Sequence, residues 1–151
     1  MLTRSKVTEQ DLVMVTGASG GVGSAAVQLA KARGAKVIAI TSLLKASKLQ
    51  EIGADQTIYS DDDYVEYLGK DSVDVVIDLV AGHKWPTLLE VLRTGGRYAV
   101  AGAIGGPIVE LDVRTLYLKD ISIFGCTMLE PQVFKKPNRL YRRRADQTVD
   151  F

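Results

Sequence analysis

The chain alternates short, nearly continuous apolar runs with longer stretches in which apolar residues recur at helical spacing. The apolar runs are "LVMVT" (Leu12 to Thr16), "KVIAIT" (Lys36 to Thr41), "QTIYS" (Gln56 to Ser60), "VDVVIDLV" (Val73 to Val80), "RYAVAGA" (Arg97 to Ala103) and "ISIFGC" (Ile121 to Cys126). They are rich in valine and isoleucine and mostly unbroken by polar residues, the pattern of strands buried on both faces of a parallel sheet. Between them, "GVGSAAVQLAKARG" ends at Gly34 and "LLKASKLQEIG" at Gly53, each glycine placed as a helix stop. "PTLLEVLRTGG" puts Pro86 in a first turn and Gly95 at the end of the helix. "DDD" at Asp61 to Asp63 reads as the cap of a short helix, because carboxylates suit a helix N-terminus. Strand and helix alternate throughout. The pattern therefore predicts an α/β fold: a Rossmann-type, doubly wound, six-stranded parallel sheet with helices on both faces.

Composition narrows the class without naming it. At 151 residues, with 46% hydrophobic and 25% charged residues, the chain is one domain able to bury a core. A net charge of +1 argues for neither a nucleic acid nor an acidic partner. The basic stretch "KKPNRLYRRR", between Lys135 and Arg144, reads as a solvated tail rather than a nucleic-acid patch, and Pro137 would interrupt a long helix there. The single cysteine, Cys126, excludes an internal disulfide and suits a reducing compartment. No apolar run approaches the roughly 20 residues of a membrane helix, and "MLTRSKVTEQ" lacks the apolar core of a signal peptide. A cytoplasmic protein is expected.

The candidate chemistry lies in "TGASGGVG", between the first strand and the first helix. As a dinucleotide fingerprint it offers Ala18, Gly20 and Gly23 at the three glycine positions. These serve the tight turn, the close approach of a pyrophosphate, and the packing of helix on strand. Thr16, Gly17 and Gly21 complete the loop. The backbone N–H groups of Gly20, Gly21 and Val22 would face the pyrophosphate at the positive end of the helix dipole. No G-K-[ST] follows, so it is not a P-loop. The same residues fit the T-G-x-x-x-G-x-G of the short-chain dehydrogenases. That family needs a Y-x-x-x-K pair, and none of the six tyrosines here has a lysine four residues on. Tyr67 comes nearest, with Lys70 three away.

The remaining segments favour the first fingerprint. "VTGASGGVGSAAVQLAKARGAKVIAI", "LQEIGAD", "VDVVIDLVAG", "LLEVLRTGGRYAVAG" and "LKDISIFGC" follow in order. Together they resemble the cofactor-binding domain of the medium-chain dehydrogenase/reductase superfamily, the zinc-type alcohol dehydrogenases and quinone oxidoreductases. The resemblance runs from Val7 to Phe134, and Ala18 in the loop resembles the quinone oxidoreductase branch. It implies a dinucleotide domain over 1–134 followed by a divergent basic tail over 135–151. It also implies a nicotinamide end lying along Val80 and Ala81, Gly102, Ala103 and Ile104, and Gly125 with Cys126. The edge strand Ile121 to Phe124 would pair two copies as a homodimer.

The end of the second strand bears on cofactor choice. An acidic residue there binds the ribose hydroxyls of NAD and repels a 2′-phosphate. This chain has Thr41, Ser42 and Lys45, so NADP(H) is expected over NAD(H). In the resembled family, catalysis and zinc ligands belong to a GroES-like domain that mostly precedes this one, and nothing here corresponds to it. A catalytic zinc takes about three protein ligands. Only Cys126 and His83 are of the soft or imidazole type, and they read as a buried strand-end residue and an exposed helix-opening residue. The expectation is a cofactor domain with no metal and no catalytic residue of its own, unable to turn over substrate alone. The alternative is a non-catalytic dinucleotide-binding or sensor module acting as a dimer or through its basic tail.

Overall fold

A computed structural model describes residues 1–127 and 131–132. The basic tail and the boundary expected at Phe134 lie outside the described residues. The elements are β1 (Leu12–Val15), α1 (Gly21–Ala32), β2 (Lys36–Thr41), α2 (Ala46–Glu51), β3 (Gln56–Tyr59), α3 (Tyr64–Leu68), β4 (Val73–Asp78), α4 (Trp85–Val91), β5 (Leu92–Val100), α5 (Val113–Leu118) and β6 (Ser122–Gly125). The sheet is parallel throughout, in the order β3-β2-β1-β4-β5-β6. The first strand is therefore central, and the chain reverses its direction of winding between β1 and β4.

Continuous apolar strands are explained by the two cores they separate. Val13, Val15, Val37, Ala39, Val75 and Ile77 face α1 and α2, packing with Ala26, Val27, Ala30 and Leu49. Their neighbours in sequence, Met14, Ile38, Ile40 and Val76, face α3 and α4, packing with Tyr64, Trp85, Leu88 and Leu89. With period-two alternation, a strand buried on both sides needs apolar residues at every position.

The glycine stops are real. After α1, the Gly34 N–H bonds the Lys31 carbonyl at 2.9 Å and the Ala35 N–H bonds the Ala30 carbonyl at 3.2 Å. This is the paired bonding of a Schellman motif, with Gly34 at φ +87°. Gly53 and Ala54 repeat the pattern after α2. Asp63 caps α3 as expected, its side chain accepting from the N–H groups of Val65 and Glu66.

Two expectations change. The helix expected to run to Gly95 stops at Val91, because Leu92 turns extended (φ −63°, ψ 133°), buries its side chain and pairs with Val73. Residues 93–96 then bulge before pairing resumes at Arg97 opposite Val75. Gly95 lies in that bulge, held by its N–H to the Lys119 carbonyl at 2.7 Å. The fifth strand consequently spans Leu92–Val100 rather than Arg97 to Ala103. The first, third, fourth and sixth strands end one or two residues short of the apolar runs, where the chain leaves the sheet for its loops.

The opposite end of the sheet is closed by the N-terminal segment. Arg97 donates to the carbonyls of Ser5 (2.9 Å) and Lys6 (3.1 Å) and pairs with Asp11, whose carboxylate also accepts from the Thr8 N–H at 2.8 Å. Both partners of the pair are largely buried. Arg97→Ala is expected to lower stability by about 2 kcal/mol, because it strands the Asp11 charge. A urea midpoint unchanged from wild type would refute this.

Candidate functional site

The site is assembled by loops at the carboxyl ends of the strands. Leaving β1, Thr16 and Gly17 turn beneath the loop that follows β4. A Cβ placed on Gly17 would lie 3.2 Å from Val80 Cγ2. Ala18 is fully buried in the α1-side core, which accounts for its methyl group, and its N–H bonds the Ile40 carbonyl at 3.2 Å. The loop is thereby tied to both β2 and β4. The helix then starts at Gly21 with Gly20 as its cap and no side-chain cap bond.

The N–H groups at this start are the site's main chemical resource. The Gly20 N–H is not free, contrary to expectation: it donates to the Gly17 carbonyl at 3.1 Å, closing the turn. The N–H groups of Gly21, Val22 and Gly23 find no acceptor among the described residues, as the first turn of a helix requires. Gly21 and Val22 are exposed. Gly23 is the packing glycine, since a Cβ there would lie 2.2 Å from the Gly17 oxygen and 2.7 Å from the Ala18 Cα. Open donors at the positive end of a helix dipole, on backbone with no Cβ at Gly21, suit a pyrophosphate.

At the end of β2 the expected trio separates. Ser42 and Lys45 are exposed, Ser42 in an N-cap position without a cap bond. Thr41 is buried, and its hydroxyl has no hydrogen-bond partner. The strand itself ends without an acidic residue, and the next along the chain is Glu51, at the end of α2. The Asp62 carboxylate accepts from the N–H of Tyr59, which pairs with Thr41 from the neighbouring strand.

The remaining predicted residues converge on the β4, β5 and β6 ends. A Cβ on Gly102 would lie 2.4 Å from the Leu79 carbonyl oxygen. The Gly105 N–H bonds the Val80 carbonyl at 2.7 Å and the Gly82 N–H bonds the Gly106 carbonyl at 3.1 Å. Ala81 holds a positive φ of 55°. Cys126 is buried, its N–H on the Val100 carbonyl at 2.9 Å, while Gly125, Ala103 and Ile104 are exposed, Ile104 at 89%.

A residue that sequence reasoning missed organises these loops. Asp78 is fully buried at the end of β4. It accepts from the Thr16 hydroxyl at 2.6 Å, from the N–H groups of Val80 (2.9 Å) and Ala81 (3.0 Å), and from the Tyr98 hydroxyl. Thr16 in turn accepts from the Leu79 N–H at 2.9 Å. One carboxylate thus joins the glycine loop, the β4 loop and β5. Burial, then the Asp78 charge and the hydrogen bond to it, push the Tyr98 phenol far above its ordinary range, so it remains a donor. The signal was present as the second of two aspartates in the apolar strand β4, with no basic residue beside it in sequence.

Neither residue named above as a possible zinc ligand stands in a ligand cluster of the described residues. Cys126 is packed in the core and His83 is exposed, and no group of three or more His, Cys, Asp or Glu among the described residues is placed to hold a metal. Among the described residues no helix is long and apolar enough to cross a membrane.

A helix opened by glycines at the switch point of a doubly wound sheet defines the nucleotide-binding class of α/β domains. Residues 21–142 match the family model described as zinc-binding dehydrogenase. The chain belongs to that family, within the medium-chain dehydrogenase/reductase superfamily. It is 37% identical over 126 residues to the acryloyl-coenzyme A reductase of Metallosphaera sedula, covering 82% of this chain and 37% of the relative. It is 32% identical over 122 residues to the quinone oxidoreductase of Homo sapiens, covering 77% and 36%. Among solved structures, the yhdH oxidoreductase from Salmonella enterica in complex with NADP superimposes with a TM-score of 0.80 at 28% identity, covering 94% of this chain and 45% of that one. The Bacillus subtilis protein yhfP with NAD bound gives 0.77 at 30% identity, covering 96% and 45%. The chain spans little more than a third of the length of the curated relatives it matches.

Proposed function

We propose that this chain is the NADP(H)-binding domain of an oxidoreductase of the quinone oxidoreductase and alcohol dehydrogenase kind. The observation that carries this reading is the row of unpaired N–H groups at Gly21, Val22 and Gly23, opening α1 at the switch point. The relatives solved with NADP and with NAD support a nicotinamide dinucleotide there. The choice of the phosphorylated form rests on β2: an exposed hydroxyl and ammonium, Ser42 and Lys45, follow the strand, and the strand itself ends without a carboxylate.

When bound, the dinucleotide supplies hydride chemistry. The chain's own residues would grip and orient it. The α1 N-terminus would hold the pyrophosphate, Ser42 and Lys45 the adenosine-ribose phosphate, and the loops at 79–82 and 101–106 would line the other half. None of these residues offers a proton-transfer group, so turnover is assigned to a catalytic domain joined to this one. Titration with NADPH and NADH tests the reading: tighter binding of NADPH is expected, and absent or equal binding of the two sinks it. Lys45→Glu should weaken NADPH by about tenfold and leave NADH nearly unchanged, since the new charge opposes only the 2′-phosphate.

The dimer belongs to the same proposal. The β6 strand, Ser122–Gly125, is the edge of the sheet beyond β5, and Ser122 and Gly125 are exposed. An unpaired edge invites pairing with its like. Light scattering that finds only monomer at micromolar concentration would remove it.

A further inference from the structure

Beneath the loops after β1, β4 and β5 lies a negative charge with an unusual set of neighbours. Asp78 is fully buried, and every group that touches its carboxylate is a donor: two hydroxyls and two backbone N–H groups. None of the ion pairs of the described residues involves it. Donors disperse the charge without cancelling it. An asparagine of the same shape would keep one acceptor oxygen but turn its N–H₂ toward groups that now all donate, so the present bonding suits an anion. Burying such a charge is expensive, even where donors surround it.

Position suggests what the charge acts on. Doubly wound domains bind a dinucleotide across the switch point, one mononucleotide on each half of the sheet. The glycine loop, Ser42 and Lys45 engage the pyrophosphate and the half built on β1, β2 and β3. The half built on β4, β5 and β6 is left for the nicotinamide mononucleotide, and Asp78 ends the first strand of that half. The oxidised nicotinamide ring is a cation and the reduced ring is neutral. A fixed anion behind the loop discriminates between them through a poorly screened interior.

We propose that the buried Asp78 carboxylate selects the redox state of the dinucleotide, favouring the oxidised form over the reduced form. This rests on the reading that the chain binds a nicotinamide dinucleotide. Asp78 is fully buried beneath the loops, so it would act through its field, as a positioning residue.

The test is the ratio of dissociation constants for NADP⁺ and NADPH, with NAD⁺ and NADH alongside, measured calorimetrically on wild type and Asp78→Asn. The variant should shift the ratio by about tenfold toward the reduced form. Binding of 2′,5′-ADP, which lacks the nicotinamide, measures any loosening of the glycine loop that Asp78 holds through Thr16, and the redox ratio is read against it. A purely structural role would weaken both redox forms together and leave the ratio unchanged, overturning the proposal alone. Wild type that binds no dinucleotide would overturn the dinucleotide reading and this proposal with it. If Asp78→Asn does not fold, Tyr98→Phe serves, because it removes one donor and keeps the charge. Its ratio should move toward the oxidised form, because the charge is then less dispersed, and an unchanged ratio or movement toward the reduced form would refute the selection.

Discussion

Gly23→Ala is expected to destabilise the domain by about 3 kcal/mol and to weaken dinucleotide binding by more than about tenfold. The added methyl would sit 2.2 Å from the Gly17 oxygen and 2.7 Å from the Ala18 Cα, both main-chain atoms. A side chain can rotate away from an intruder, but these atoms can yield only if α1 lifts off the loop. Lifting the helix also displaces the donors at its start, so stability and binding fall together. Gly21→Ala provides the contrast, because nothing lies within 4 Å of a Cβ there. It should unfold within about 0.5 kcal/mol of wild type, as surface substitutions do. Urea denaturation of the pair measures the difference, and a Gly23→Ala midpoint equal to that of Gly21→Ala would dismiss the packing argument.

Gly82→Ala should have an effect of similar size for two separable reasons. Gly82 holds φ at +71°, where an L-residue is strained by about 1–2 kcal/mol. A methyl there would also lie 2.2 Å from the Gly105 oxygen, adding overpacking of about 1–3 kcal/mol. Gly69 shares the positive φ, at +79°, but has open space around it. Gly69→Ala therefore reports backbone strain without a steric contact, at φ +79° and ψ 165°. A Gly82→Ala loss at least as large shows that the loop contact adds to strain. A smaller loss would mean that the β4 and β5 loops do not depend on this close approach. Because these loops are proposed to line the nicotinamide half, Gly82→Ala should also weaken whole-dinucleotide binding more than 2′,5′-ADP binding.

What could be read from sequence follows the range of the interactions. Strands and helix stops are local: continuous Val and Ile runs mark doubly buried strands, and Gly34 and Gly53 end helices through bonds that reach only five residues. The glycine loop was legible for the same reason. The start of β5 was not, because "LRTGG" looks like a helix exit and only the pairing of Leu92 with Val73 makes it strand. The short helix α5, capped by Asp112, lacks a strong apolar period and went unread. Gly20 looked like a free donor until the Gly17 carbonyl claimed it. Asp78 was invisible because its meaning is non-local: Thr16 stands 62 positions away and Tyr98 20.

The strand order also governs how the chain comes together. As synthesis proceeds, β1, β2 and β3 can assemble with α1 and α2 as soon as they emerge, since their contacts are near in sequence. The other side of β1 must wait for β4, so Val13, Met14 and Val15 remain an open apolar edge in the growing chain. The Thr16–Asp78 bond bridges that seam, across the middle of the sheet. The same seam brings the glycine loop against the β4 loop, so the crevice takes shape only when the two halves have met.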